Sequence, residues 1–353
     1  MKNEWNINKI NSLKMDLYKK LNKSESKLEY EKMLNSIMCY DNMIQSYYEQ
    51  DIYIENDMSF TNRSTIFSQN KRTLSILKKT HSKEFLKSLY IINSELEHIF
   101  YNIEESTNFT YFDFENYKKI ATEFFIDKFG FEIGVNVMEK LKKDDFIDVK
   151  SSLYMANGYY FQSAYDSNKF IQILSDNTIE DLDTLIHELG HFIDGKSIND
   201  EDRCNIYLEI VPIFCELLLP DYLVDIGFDK KDILDLKYKI LSTRYNSIMD
   251  YNEFYDNMKN YKKNGIYLDE NILETIDYNY AFLAALDLYS QYKKDPYSTM
   301  KKIKNLMKFK LSKNSDKFEE VLDVNIFSSR ENLLEYSKDL FNKQYTNKVK
   351  KFK

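Results

Sequence analysis

The sequence predicts a mainly α-helical protein with one small β-sheet. Glycine and proline account for only 7 and 3 of the 353 residues, so the chain has few of the turn signals that an all-β fold requires. Apolar residues instead recur at helical spacing, from about Ser24 to Tyr53 and again from about Lys71 to Tyr101. Hydrophobic residues make up 43% of the chain and charged residues 30%, which is typical of globular proteins rather than disordered ones.

The first two helical stretches are expected to form a hairpin or part of a bundle. A polar segment between them, Asp57–Asn70, has the Ser, Thr and Asn content of a loop. His81 and His98 lie in the second stretch, where neither has a histidine or cysteine partner at ligand spacing, so we expect surface or packed residues rather than metal ligands. One or two further helices are expected over Phe114–Lys143.

A β-strand and a capped helix are predicted next. The segment Tyr154–Leu174 is rich in aromatic and β-branched residues, and Lys169–Leu174 at its end predicts a strand of about five or six residues. This is the only convincing strand signal, so the sheet must be small. Thr178 offers an N-cap, with Asp181 as a weak capping-box partner, for a helix that ends at a glycine cap, Gly195.

The charge and the cysteine content exclude several classes of protein. The formal net charge of −8 argues against nucleic-acid binding, which needs a basic surface, and the short basic run at the C-terminus is better explained as a solvated tail. No apolar stretch of about 18 residues predicts a membrane span, and the N-terminus lacks the apolar region of a secretory signal. Cys39, Cys204 and Cys215 are odd in number and unpatterned, which fits reduced thiols and a cytoplasmic protein.

The five residues His187-Glu188-Leu189-Gly190-His191 are the strongest functional signal in the chain. Positions four apart on an α-helix differ by about 40° around the axis, so His187 and His191 project from one face and can share a metal ion. Glu188 is close enough to take a proton from a water molecule held there, which is the arrangement of a hydrolytic zinc site. The alternative is a pair of surface histidines beside an ordinary glutamate.

A catalytic zinc needs a third protein ligand, and the residues leave its identity open. Glu209 and Glu216 interrupt the otherwise apolar segment Asn205–Leu219, where an ionised carboxylate is costly unless a cation or metal pairs with it. Seven residues apart, they lie on nearly the same helix face, which a solvent-facing stripe would also explain. Asp194, three residues after His191, could instead ligate the metal or orient that histidine.

Several segments resemble oligoendopeptidase F, a member of the thimet-oligopeptidase family of zinc peptidases. The resemblance lies in Ala164–Ile171, in Asn177–His191 and in Glu209–Leu219, which keeps both glutamates at the separation found in the family. It implies that Glu209 is the third zinc ligand. Asp277–Leu286 is similar to the family's late tyrosine helix, and the resemblance extends over about Tyr111–Phe341.

The chain also departs from the family pattern in three ways. The gap between His191 and Glu209 is several residues shorter than usual, and Pro212 could kink the second helix and move Glu209 away from the metal. The family places a histidine shortly before its tyrosine helix to stabilise the tetrahedral intermediate, whereas no histidine follows His191 here. Tyr278 and Tyr280 are candidate replacements, and a packing role for either is an equal alternative.

These features predict an N-terminal helical region over residues 1–110 and a zinc metallopeptidase domain over residues 111–353. The predicted fold is that of a helical zincin with a small, mostly antiparallel sheet edging the active-site cleft. The resemblance implies short peptides as substrates, and the strand Lys169–Leu174 is expected to offer an edge on which a peptide can pair its backbone. The expected site consists of the zinc ligands His187, His191 and Glu209, the general base Glu188, and the oxyanion donor Tyr278 or Tyr280.

Two other functions stay open. The first is a zinc-containing peptide-binding or regulatory protein of the same fold with weak or no turnover, which the missing late histidine favours and Glu188 disfavours. The second is a helical interaction protein in which the motif is accidental. That protein would bind no zinc.

Overall fold

The computed structural model describes residues 6–48, 82–102, 113–195, 207–249, 270–308 and 320–351, except residues 22, 25, 144, 152–156, 164, 167 and 177. The expected loop Asp57–Asn70, His81 and Cys204 lie outside the described residues. The described helices are α1 (Ile7–Leu21), α2 (Lys27–Tyr48), α3 (Ser82–Asn102), α4 (Phe114–Phe129), α5 (Phe131–Leu141), α6 (Ile179–Asp194), α7 (Ile210–Asp225), α8 (Lys230–Met249), α9 (Glu270–Lys294), α10 (Pro296–Lys308) and α11 (Ser329–Lys351).

The chain divides into two compact units, each made from two stretches of sequence. The first comprises Met1–Gln69 and Phe112–Arg203, and the second comprises Asn70–Tyr111 and Cys204–Lys353. None of the described helices is both long and apolar enough to cross a membrane.

Three strands form the sheet of the first unit: β1 (Ile147–Ser151), β2 (Asn157–Gln162) and β3 (Lys169–Ser175). The order is β1-β3-β2, with β1 parallel and β2 antiparallel to β3. The prediction of a mainly helical fold with a small sheet is confirmed, and β3 begins at the expected residue. The sheet is mixed because β2 and β3 form a hairpin while β1 adds to the opposite side of β3.

The expectation that Lys169–Leu174 offers a free edge is wrong. This segment is the central strand β3, whose backbone pairs with β1 on one side and β2 on the other. Strand order depends on which segments of the chain meet in space, and the periodicity of a single segment does not encode it.

Helices cover the sheet and complete the core of the first unit. Helices α1 and α2 pack against each other, and their apolar side chains form a cluster with Phe170 of β3. Tyr40 of α2 donates a hydrogen bond to Asp166 Oδ2 at 2.6 Å, and Asn168 donates to the Tyr40 hydroxyl at 3.0 Å. Helix α6 contacts both β2 and β3. The N-terminal helices therefore support the hairpin against which α6 packs.

The second unit is a bundle built around α7 and α9. Buried residues occur on all sides of α7, and α9 packs against it along its own buried C-terminal half. Helices α3, α8 and α11 surround this pair. A helix that is apolar all round is expected at the centre of such a bundle.

Candidate metal centre

Helix α6, which carries the histidine motif, begins and ends where the sequence predicts. The Thr178 hydroxyl accepts a hydrogen bond from the backbone N–H of Glu180 at 3.2 Å. At the other end, Gly195 adopts the left-handed conformation with φ +66°, and its N–H donates to the carbonyl oxygen of His191 at 3.1 Å. Both expected caps are therefore confirmed.

Asp181 anchors the first turn of α6 to the sheet instead of completing a capping box. Its buried carboxyl accepts hydrogen bonds from the Ser175 hydroxyl and, at 3.1 Å, from the backbone N–H of Asp176. Burial raises the pKa of Asp181 to about 6, and the charge of Asp176 acts in the same direction, while the Ser175 hydrogen bond opposes it. The helix start is thus fixed to the end of β3.

The two histidines of the motif lie side by side on α6, as their spacing predicts. Their ring centroids are 4.9 Å apart and the ring planes are inclined by 80°. The carboxyl-bearing side chain of Glu188 is almost fully buried, at 5% exposure. Tyr160 of β2 stacks on the His191 ring, with the centroids 5.8 Å apart and the planes inclined by 23°.

One group of possible metal ligands occurs among the described residues. His187, His191 and Glu209 are half-buried, each offers one ligand atom, and these three atoms lie within 4.8 Å of one another. Two imidazoles and one carboxylate are a ligand set of catalytic zinc sites, which keep a further position for water or substrate. The group consists of the three residues that the sequence analysis names as ligands.

The local structure around Glu209 accommodates Pro212 in the first turn of the helix. Glu209 is the N-cap residue of α7, and its side chain makes no capping hydrogen bond. Pro212 is the third residue of the helix, where a backbone N–H would have no intrahelical partner. The next residue, Ile213, donates normally to the Glu209 carbonyl oxygen at 3.0 Å. The proline therefore lies in the turn that tolerates it.

The two other carboxylates considered as ligands lie outside this group. Glu216 is buried on α7, where Arg244 of α8 donates from Nη2 to Oε1 at 2.7 Å and also contacts Oε2. An arginine, rather than a metal, neutralises this carboxylate. Asp194 is the last residue of α6 and is 3% exposed.

The two candidate tyrosines on α9 differ in their surroundings. Tyr280 is 4% exposed, and its ring centroid lies 6.0 Å from that of Phe85 and 6.1 Å from that of Tyr207. Tyr278 is half-buried, with the Arg244 guanidinium carbon 6.0 Å from its ring centroid. The contacts of Tyr280 are those of a core residue, and Tyr278 retains more accessible surface.

Sequence reasoning missed the cation that pairs with Glu216 and two residues that lie against the histidine helix. The sequence indicates that a buried carboxylate in an apolar helix needs a cation or metal, but it does not identify Arg244 as that cation. Gly158 and Tyr160 lie in β2. The aromatic content of Tyr154–Leu174 is compatible with β-structure there, but the sequence analysis predicts a strand only over Lys169–Leu174. No local signal assigns these residues to a face next to the histidine motif.

Comparisons with known proteins reveal similarity at the level of the fold. No protein-family model and no curated protein match the chain. A provisionally assigned oligoendopeptidase F from Bacillus anthracis str. Ames is similar in structure, with a TM-score of 0.51 and 15% identity over 90% of this chain and 64% of that one. PZ peptidase A, solved with an inhibitor, gives a TM-score of 0.51 and 15% identity over 88% of this chain and 65% of that one. The chain spans less than two thirds of either structure and shares their fold.

Proposed function

We propose that this protein is a zinc-dependent endopeptidase that hydrolyses short peptides. The observation that supports this is the group of His187, His191 and Glu209, whose ligand atoms lie within 4.8 Å of one another. Glu188, the residue after the first ligand, supplies the carboxylate that a hydrolytic site needs. The two similar structures, both named as peptidases, are consistent with this function.

The chemistry of the donor set favours zinc. Two imidazole nitrogens with one carboxylate oxygen suit zinc, whereas calcium and magnesium prefer sites made of oxygen ligands. Bound there, zinc would polarise the scissile carbonyl and promote deprotonation of the attacking water.

Glu188 acts as the general base in this proposal. Its carboxylate takes a proton from the attacking water as the new C–O bond forms, and then delivers that proton to the amine that leaves when the C–N bond breaks. Its burial next to His187 restricts the orientations of the side chain. A carboxylate held in one orientation loses less entropy on reaching the transition state.

Strand β2 is the proposed edge for the peptide backbone. Among the described residues β2 pairs with β3 alone, and it packs against α6, which carries the histidines and Glu188. An extended peptide could add to this edge by backbone hydrogen bonds, leaving its side chains to determine specificity. This assignment replaces the expectation for Lys169–Leu174.

Tyr278 is the proposed hydrogen-bond donor to the developing oxyanion. Tyr280 packs against two aromatic rings, which favours a structural role, whereas Tyr278 is half-buried. Loss of one such donor typically costs about 100- to 1,000-fold in turnover. A Tyr278→Phe variant should therefore lose much more turnover than zinc affinity.

The test is hydrolysis of a quenched-fluorescent peptide library with and without a chelator. We expect cleavage that the chelator abolishes, and a loss of about 1,000-fold in Glu188→Gln with one zinc per chain retained. His98→Ala is the matched control, because His98 is an exposed histidine on α3 outside the ligand group. Cleavage that survives the chelator and Glu188→Gln would contradict the proposal.

One sequence observation favours a second function. No histidine follows His191, so the chain lacks the late histidine of the family that it resembles. A zinc-containing peptide-binding protein would bind one zinc per chain and the peptides, but would cut none of them. An interaction protein with an accidental motif would bind no zinc.

A further inference from the structure

Strand β2 lies along one stripe of α6. Alternate residues of a strand share a face, so Gly158 lies on the face of β2 from which the Tyr160 side chain projects. Thr184, Glu188 and His191 are spaced by four and three positions and form a continuous stripe on the helix. Tyr160 stacks on His191, and Gly158 lies opposite the other two residues of the stripe.

Gly158 is required here for space rather than for its backbone conformation. A Cβ atom at this position would lie 2.7 Å from Glu188 Oε1, 2.8 Å from Glu188 Cγ and 2.6 Å from Thr184 Cγ2. Real Cβ atoms essentially never approach other heavy atoms this closely. The φ angle of Gly158 is not positive, so residues other than glycine can adopt its backbone conformation.

We infer that Gly158 is a positioning residue for Glu188. The missing side chain leaves the space in which the Glu188 carboxyl is held, while Tyr160 from the same strand face orients the His191 ring. The inference rests on the proposed function for its catalytic consequence, but the contact itself does not depend on that function. Any side chain at position 158 must displace Glu188, Thr184 or the strand.

Gly158→Ala tests the catalytic consequence. A displacement of about 1 Å at a reacting group can cost about 100-fold in rate, so we expect kcat to fall by about that factor with KM little changed. We also expect one zinc per chain, as in the wild type, because the three heavy atoms nearest to the added methyl group belong to Thr184 and Glu188, and neither residue is a proposed ligand. Thr184→Ser in the same chain should recover part of the lost melting temperature without recovering kcat, since it relieves only the threonine contact.

Thermal melting tests the contact without any need for peptide cleavage. Gly158→Ala should lower the melting temperature, and the loss should be smaller in a Glu188→Ala background, where Cγ and both carboxyl oxygens are removed. If Gly158→Ala alone fails to fold, folding of the Gly158→Ala, Glu188→Ala double variant supports the inference. Failure of both variants to fold overturns it.

Two further results would overturn the inference. One is wild-type kcat in Gly158→Ala, and the other is an equal loss of melting temperature in the wild-type and Glu188→Ala backgrounds. A wild-type protein that binds zinc and cuts no peptide would refute the proposed function instead. In that case the difference between the two melting-temperature losses still decides whether Gly158 makes room for Glu188.

Discussion

The buried Asp181 carboxyl makes stability depend on pH in a direction opposite to that of a salt-bridged aspartate. Burial raises its pKa from 3.8 to about 6 in the folded protein, so the folded state binds more protons than the unfolded state between these values. The contribution of this group to stability is full below about pH 3.8 and is lost as the pH rises through about 6.

Asp181→Asn should remove this dependence, because an amide keeps one acceptor for the Asp176 N–H and cannot ionise. We expect the melting temperature of the variant, relative to the wild type, to increase between pH 4.5 and pH 7.5. Thermal melts at several pH values give this difference directly. A difference that is constant or that decreases with pH would refute the assignment.

The Glu216–Arg244 pair is a buried ion pair whose members depend on each other. Both side chains are nearly buried, at 5% and 6% exposure. Arg244→Met leaves the Glu216 carboxylate without this cation, and breaking a buried pair in this way costs about 3–5 kcal/mol. Urea unfolding measures the loss.

The double variant Glu216→Leu, Arg244→Met provides the control. Replacing both members of a buried pair by apolar residues is often neutral or stabilising, so this variant should be closer to the wild type than Arg244→Met. Equal losses in the single and double variants would show that the arginine acts through packing instead.

At the scale of the elements, the close approach of α4 and α5 depends on Gly134. A Cβ at this position would lie 2.7 Å from the backbone nitrogen and 2.8 Å from the Cα of Ile126. Backbone atoms cannot rotate away, so Gly134→Ala must separate the helices. We expect a loss of about 1–3 kcal/mol in urea unfolding, as for other overpacked cores.

Asn136→Ala is the matched control for this helix pair. Asn136 is exposed two residues further along α5, so its replacement should change stability by no more than about 0.5 kcal/mol. Equal effects of the two substitutions would mean that α4 and α5 separate without cost.

Element prediction from the sequence succeeded where the signal was local and failed where it was not. Helix α6 shows its cap residues and its periodicity in one continuous segment. Strand β1, in contrast, was missed because its polar Asp148 is buried, where it accepts a hydrogen bond from Gln172 of β3 at 2.9 Å. A buried polar pair between strands hides the alternation on which strand prediction depends.

For the whole molecule, the proposed zinc should stabilise the fold. A ligand that binds only the folded state contributes about 2.7 kcal/mol when its free concentration is 100 times its dissociation constant. A chelator should therefore lower the melting temperature of the wild type and of His98→Ala, but not that of His187→Ala. Melts with and without the chelator give the comparison, and a chelator effect that persists in His187→Ala would contradict the ligand assignment.

The chain folds as two units that each combine distant segments. Helices α1 and α2 belong to the same unit as the sheet and α6, and they hold the hairpin through contacts such as that between Tyr40 and Asp166. The division into a helical region over residues 1–110 and a catalytic domain over residues 111–353 stays a prediction. Activity measurements on the full chain and on residues 111–353 would test it.

The sequence alone determined the helical class, the caps of α6 and the placement of His187, Glu188 and His191 on one helix. These features depend on residues within a few positions of each other, so local spacing contains the information. The tertiary structure decided that Arg244 neutralises Glu216, that Glu209 joins the two histidines, and that β3 is a central strand. Each of these depends on charges and backbone groups from distant segments meeting in space, and no pattern within one segment specifies its partner.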